Sequence, residues 1–164
     1  MTTLAITGHR PDKLGGYEPN PLGRAVQREL RARIVELRPA KLVSGMALGV
    51  DQWAAWIAVR LGVPFVAAVP YEGQEEPWLP EQRRRYFELL EKAAEVITLF
   101  DPPVNRYDAA DKLQKRNEWM ADHCDVLLAV WDGSESGTGN CVRYAEKVGH
   151  RVVRIDPRTL MEVV

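Results

Sequence analysis

Continuous apolar runs alternate with helix-period segments along the whole chain, and few architectures satisfy that pattern. Leu4–Ile6, Lys41–Ser44, Phe65–Val69, Val96–Phe100, Val126–Trp131 and Val152–Ile155 read as six strands. Val126–Trp131 has no polar alternation, so it suits a strand covered on both faces. Between the strands, Arg24 to Arg38 carries Val26, Leu30, Ile34 and Leu37 on one helical face, and Pro39 ends it. Val50–Leu61 is a second helix, apolar nearly all round, with Gly62 as its cap. Pro80 opens a third through Tyr86, Phe87, Leu90 and Ala94, Ala110–Asp122 forms a fourth, and Thr138–Val148, closed by Gly149, forms a fifth. The expectation is an α/β domain: one doubly wound, mainly parallel sheet with helices on both faces. A chain of 164 residues is long enough to bury one core, so residues 1–164 are expected to form a single domain.

In such sheets ligands bind beyond the carboxyl ends of the strands, which gives the loops there a meaning. Gly8, His9 and Arg10 leave the first strand. Gly8 permits a tight turn, and Arg10 is suited to a two-pronged phosphate contact. Ser44, Gly45, Met46 and Gly49 leave the second, and the amides of Gly45 to Gly49 are spaced for an anion nest. Asp51, in the first turn of the next helix, caps it or accepts hydrogen bonds from a ribose or from loop amides. Asp132, Gly133, Gly137, Thr138, Gly139 and Asn140 belong to the loop after the fifth strand and the start of its helix. Thr138 is placed to cap that helix, whose N-terminus favours an anion. Arg116 and Asn117 share a helix face with Leu113 and Met120, so they lean inward as ligands for a phosphate or base, or as a structural salt bridge or cap. Gly8 to Leu22 and Tyr71 to Leu79 are long loops of the kind that often act as lids.

Composition narrows the partners. A formal charge of −1 gives no global drive toward DNA or an anionic membrane. Met1-Thr2-Thr3 does not read as a signal peptide, and no apolar run approaches the ~20 residues of a membrane span. His9, His123 and His150 are scattered, and Cys124 and Cys141 form no metal or disulfide pattern, so no metal site and a reducing, cytoplasmic setting are expected. Arg83-Arg84-Arg85 reads as a solvated face. Trp53 and Trp56 read as core or dimer contacts. The apolar breadth of Val50–Leu61 leads to an expected homodimer or larger homo-oligomer.

Thr7-Gly8-His9-Arg10-Pro11, Ser44-Gly45 through Asp51, Pro70-Tyr71 with Gln74 and Trp78, Arg116-Asn117 and Gly137-Thr138 occur in the order seen in the SLOG superfamily. The chain resembles its YpsA-like branch over almost its whole length. That superfamily also contains the DprA DNA-processing proteins and the LOG phosphoribohydrolases. The resemblance implies a Rossmann-like sheet that binds a nucleotide or nucleotide-derived ligand such as AMP or ADP-ribose. It also brings an alternative, hydrolysis of a nucleotide N-glycosidic bond, and a less favoured one, DNA binding. One departure bears on the hydrolase: LOG enzymes carry a carboxylate three residues after the Gly-Thr pair, and here that position is Cys141. A thiol is no simple substitute for a carboxylate at an oxocarbenium-like centre. Glu135, Asp132 and Glu118 are the replacements within the sequence, and the catalytic residue is left unassigned.

Overall fold

Strand β1 (Thr3–Gly8) lies inside the sheet, with β2 (Lys41–Ser44) on one side and β5 (Val126–Val130) on the other, in a computed structural model that describes residues 1–162. Beyond β2 come β3 (Phe65–Val69) and β4 (Glu95–Thr98); beyond β5 come β6 (Arg151–Asp156) and the two-residue β7 (Met161–Glu162). The first six strands are parallel, and only β7 runs antiparallel. This is the α/β arrangement expected from the alternation, with β7 added at one edge.

Strand alternation sends residues to two cores. Leu4, Ile6, Leu42, Phe65, Leu128 and Val153 face one side, against α1 (Pro21–Leu37), α2 (Val50–Leu61) and α3 (Pro80–Leu90). Ala5, Val43, Val66, Ala68 and Leu127 face the other, against α4 (Arg106–Asp122) and α5 (Gly137–Lys147). Small residues on this second side let the later helices pack close to the sheet.

Helix ends differ from expectation where caps decide them. α1 starts at Pro21 rather than Arg24, because Asn20 Oδ1 accepts from the Gly23 amide at 2.8 Å and Pro21 fills the first turn. α4 starts at Arg106 rather than Ala110, because the Asn105 side chain accepts from the amides of Tyr107 and Asp108. α3 stops at Leu90, leaving Ala94 to hydrogen bond with Phe65 beside the sheet. α5 is capped by Ser136, not Thr138: Ser136 Oγ accepts from the Gly139 amide at 3.1 Å.

The apolar breadth of α2 is accounted for within the chain. Ala54, Ala55, Ile57 and Ala58 are buried, and Trp53, Trp56 and Val59 pack partly buried against the same core. α1, α3 and the sheet surround the helix. No helix among the described residues is long and apolar enough to cross a membrane.

Candidate functional site

The winding reverses at β1. From there β2, β3 and β4 are laid to one side and β5 and β6 to the other. A crevice is forced open between the loops that leave β1 and β5, since their chains depart in opposite directions. A cleft of about 420 Å³ occupies it. Thr7, Gly8, His9 and Arg10 at the end of β1 form one side, continued by Asp12 and Lys13. Ala110, Leu113, Gln114, Arg116 and Asn117 of α4 form a second. Ser136, Gly137, Thr138 and Asn140 at the start of α5 form a third, and Ala47 and Asp51 complete the lining.

The buried end is charged. Asp51 is 6% exposed and Arg116 3%. Arg116 Nη1 donates to the carbonyls of Gly45 at 2.6 Å and Ala68 at 3.2 Å, and its Nε donates to Asn117 Oδ1 at 3.1 Å. The Asp51 carboxylate accepts one hydrogen bond, from the Ala47 amide to Oδ2 at 3.3 Å. Burial pushes the Asp51 carboxyl up to about 6, against the pull of the Arg116 and Arg10 charges and the Ala47 amide. Burial likewise holds Arg116 below its ordinary value, while the field of Asp51 raises it.

Glycine makes the close approaches possible. A Cβ on Gly45 would stand 2.6 Å from the Arg116 guanidinium carbon. Gly49 has φ of 93°, and a Cβ there would meet the His9 carbonyl at 2.8 Å. The second loop is thereby pressed against both the first loop and α4.

The outer end is set by the loop that leads into α5. Lys13 Nζ donates to Ser134 Oγ at 3.1 Å, joining the first and third loops. His9 Nε2 lies 3.0 Å from Asp132 Oδ1 and 3.1 Å from the Asp132 amide: bearing a proton it donates to the carboxylate, and without one it accepts from the amide. Burial lowers the His9 pKa more than Asp132 raises it. Hydrogen bonding from Ser134 holds the Asp132 carboxyl well below the usual carboxylate range, helped by His9. With Ser136 engaged to Gly139, the first-turn amides of Gly137 and Thr138 face the cleft end of α5 without a side-chain cap of their own.

The model of the YspA SLOG family matches residues 4–157. The chain belongs to this SLOG family. The uncharacterized SPbeta prophage-derived protein YoqJ of Bacillus subtilis (strain 168) is 34% identical over 158 residues, covering 84% of this chain and 91% of that protein. A UPF0398 protein of Bacillus thuringiensis (strain Al Hakam) is 27% identical over 157 residues, covering 90% and 83%. Among solved structures, DNA processing protein A (DprA) from Streptococcus pneumoniae superposes with a TM-score of 0.69 at 18% identity over 94% of this chain. This chain spans 50% of that DprA chain. The molybdenum cofactor carrier protein MCP from Chlamydomonas reinhardtii gives a TM-score of 0.60 at 19% identity, covering 96% and 78%. At these identities the likeness is one of fold.

Within this SLOG chain the expected site residues fall into two groups. Gly8, His9, Arg10, Asp51, Arg116, Asn117, Gly137, Thr138 and Asn140 line the cleft together. Ser44, Gly45, Met46, Gly49, Asp132, Gly133 and Gly139 lie outside its lining. Ser44 Oγ donates to the Asp51 carbonyl at 2.8 Å and accepts from the Met46 amide at 3.1 Å, so both residues serve the loop. The Met46 side chain is in the core, its backbone at φ of 64°, and Gln52 Nε2 holds its carbonyl at 3.0 Å. The sequence reading used Leu113 only to mark the helix face and passed over Ala110 and Gln114, although all three stand at helical spacing with Asn117. Thr7 and Ala47 entered that reading only within the first-loop motif and the Gly45 to Gly49 run of amides, and Asp12, Lys13 and Ser136 carried no comparable signal.

Cys141, at the position of the LOG carboxylate, is fully buried; burial pushes its thiol up to about 12. Glu135, Asp132 and Glu118 are all absent from the lining, whose carboxylates are Asp12 and Asp51.

Proposed function

We propose that the cleft binds a nucleotide or nucleotide-derived phosphate ligand, and that the protein is a binding module with a regulatory or sensing role. One observation carries this reading: the start of α5 and the cations Arg10 and Lys13 line the same cleft at the winding reversal. Helix N-terminal amides and exposed cations together favour a phosphate. Gly137 and Thr138 donate to it, and Arg10 and Lys13 neutralise it. The wall of Ala110, Leu113 and Gln114 offers apolar surface and an amide to a sugar or base, with Asn117 beside them. A related fold in a molybdenum cofactor carrier supports a small-ligand role for this crevice by analogy.

DNA processing protein A from Helicobacter pylori, which has a described single-stranded DNA binding mode, shares the fold as well. A DNA role suits this chain less. Its net charge is −1, and Glu72, Glu75 and Glu76 make the loop after β3 acidic.

A thermal-shift screen with AMP, ADP, ATP, NAD and ADP-ribose tests the reading. A ligand at ~100 times its Kd adds about 2.7 kcal/mol of stability. The expected result is a raised Tm with one ligand class, reduced in Arg10→Ala and Lys13→Ala. No shift with any of the panel, in protein shown by mass spectrometry to carry no ligand already, rejects it.

A further inference from the structure

We infer that the inner end of the cleft reads a guanine base, with Asp51 accepting from its N1 and N2 N–H groups and with Arg116 and Asn117 donating to its O6 and N7. This rests on the nucleotide-binding reading and names the base that the site prefers.

Three polar atoms at this end are unused. Asp51 and Arg116 are each more than nine-tenths buried, and both line the cleft beside Asn117. Asp51 Oδ2 accepts from Ala47, and Oδ1 has no hydrogen-bond partner among the described residues. Arg116 spends Nη1 on two carbonyls and Nε on Asn117 Oδ1, which leaves Nη2 without an acceptor among the described residues. With its Oδ1 turned to Arg116, Asn117 has its Nδ2 turned away, and that group also has no acceptor among the described residues. The only sealed side-chain polar atom without a partner among the described residues is Nε of Arg154, on β6. Asp51 Oδ1, Arg116 Nη2 and Asn117 Nδ2 therefore each touch open space, and the cleft is the space that these residues line. Polar atoms held this way are costly unless a ligand or water uses them.

Charge sets which part of a nucleotide comes here. Arg10 and Lys13 are exposed at the outer end, and Asp51 is buried. A phosphate seeks the cations and the α5 amides and is repelled by a carboxylate, so the neutral end of the ligand lies toward Asp51. α4 supplies an apolar strip that leads there: Leu113 stands one turn before Arg116 and Asn117, and Ala110 one turn before Leu113, all lining the cleft. A flat ring can lie against that strip with its polar edge at the charged pair.

The chemistry of that edge selects the base. The Asp51 carboxyl, pushed up to about 6, is still mostly ionised at neutral pH, and a carboxylate only accepts. Its two oxygens take a pair of parallel N–H groups best, and Oδ2 keeps a lone pair beside its bond from Ala47. Among the common nucleobases only guanine has two neighbouring N–H groups on one edge, at N1 and N2. Its O6 and N7 follow along the ring, as acceptors for Arg116 Nη2 and Asn117 Nδ2. Adenine sets the N1 lone pair beside its amino group, and cytosine sets the N3 lone pair there, so each turns one acceptor against the carboxylate. Uracil places its single N–H between two carbonyl oxygens.

The experiment titrates the full chain with GMP, IMP and AMP in a calorimeter at neutral pH, beside the thermal shift of each. All three share the phosphate contacts and are expected to raise the Tm. GMP is expected to bind ~10-fold or more tighter than IMP, which lacks only the 2-amino group, and tighter than AMP by at least as much. In Asp51→Asn the amide sets a donor beside an acceptor, which matches the 2-oxo group and N1–H of XMP, so the preference moves from GMP to XMP. A merely structural Asp51 weakens every nucleotide alike and moves no preference, and a variant that still prefers GMP overturns its role. Equal affinity for GMP and IMP in the unaltered protein overturns the two-pronged contact, whether or not the variant folds. Tighter binding of AMP than of GMP overturns the choice of base. In each of these cases a thermal shift leaves the nucleotide reading standing, whereas no shift with any of the three removes both.

Discussion

The guanidinium of Arg116 donates to the carbonyl of Gly45 at 2.6 Å, across 71 residues of chain. The same nitrogen reaches the Ala68 carbonyl at the end of β3. Arg116 is therefore a strut between α4 and two strand ends, as well as a wall of the cleft. Arg116→Ala is expected to cost about 2–4 kcal/mol in urea unfolding, because buried carbonyls lose their donor. Gly45 retains a longer bond from Gln74 Nε2 at 3.3 Å, so Ala68 carries most of the loss. A change below ~1 kcal/mol would show that the strut is not structural. Binding is better probed through Arg10, which is exposed.

Gly45→Ala sets a Cβ against that guanidinium and is expected to destabilise by about 1–3 kcal/mol, as overpacking does. The cost belongs to the pair. In an Arg116→Ala background the same substitution should cost little, and a double-mutant cycle reads the difference directly. Equal costs in both backgrounds count against the contact.

Asp51→Asn should stabilise the protein at neutral pH. The folded carboxyl titrates near 6, above its ordinary 3.8, so the fold binds the proton more tightly than the unfolded chain does. Stability from this group is full below about 3.8 and lost as pH rises through about 6. Removing the charge recovers about 1–3 kcal/mol at pH 8, with the gain vanishing near pH 4. Chemical unfolding at both values checks it. A destabilised variant at pH 8 contradicts the shift.

His9 behaves oppositely. Its folded pKa is lowered from 6.5, so its contribution is present above 6.5 and lost as pH falls through the lower, folded value. His9→Gln removes the titration while keeping a donor and an acceptor toward Asp132. The stability of the unaltered protein relative to His9→Gln is expected to fall between pH 7 and pH 5. Parallel pH curves for the two proteins are the contrary result.

Ser136→Ala removes the cap of α5 and should cost about 1 kcal/mol. Thr138→Val tests the assignment from the other side and should leave the helix end intact. The reverse pattern in thermal melts would restore Thr138 as the cap.

Much of the fold was legible because periodicity is local. Continuous runs such as Val126–Val130, five residues long between helix-period segments, suit covered strands, and their parallel order follows from the helices between them. Ends were less legible. Ser134, Ser136 and Thr138 are all capable caps within five residues, and only the backbone path selects Ser136. β7, two residues long, has no period to read. In the cleft, topology placed the right loops at the right edge, but side-chain direction stayed hidden. The Ser44 side chain turns into its own loop, that of Met46 enters the core, and the opposition of Asp51 and Arg116 arises only when α2 and α4 meet on the sheet from opposite faces.

The central position of β1 fixes an order of events during synthesis. β1 emerges early, yet its site is closed by the contact of His9 with Asp132, which emerges 123 residues later. A nascent chain can pair β1 with β2 and extend toward β4 while half of the cleft is still being made. Any fragment that stops before α5 has no complete pocket, however well its strands have paired. The proposed ligand would thus arrive too late to guide the early steps of folding. It would act as a lock on the finished molecule, slowing unfolding rather than hastening folding.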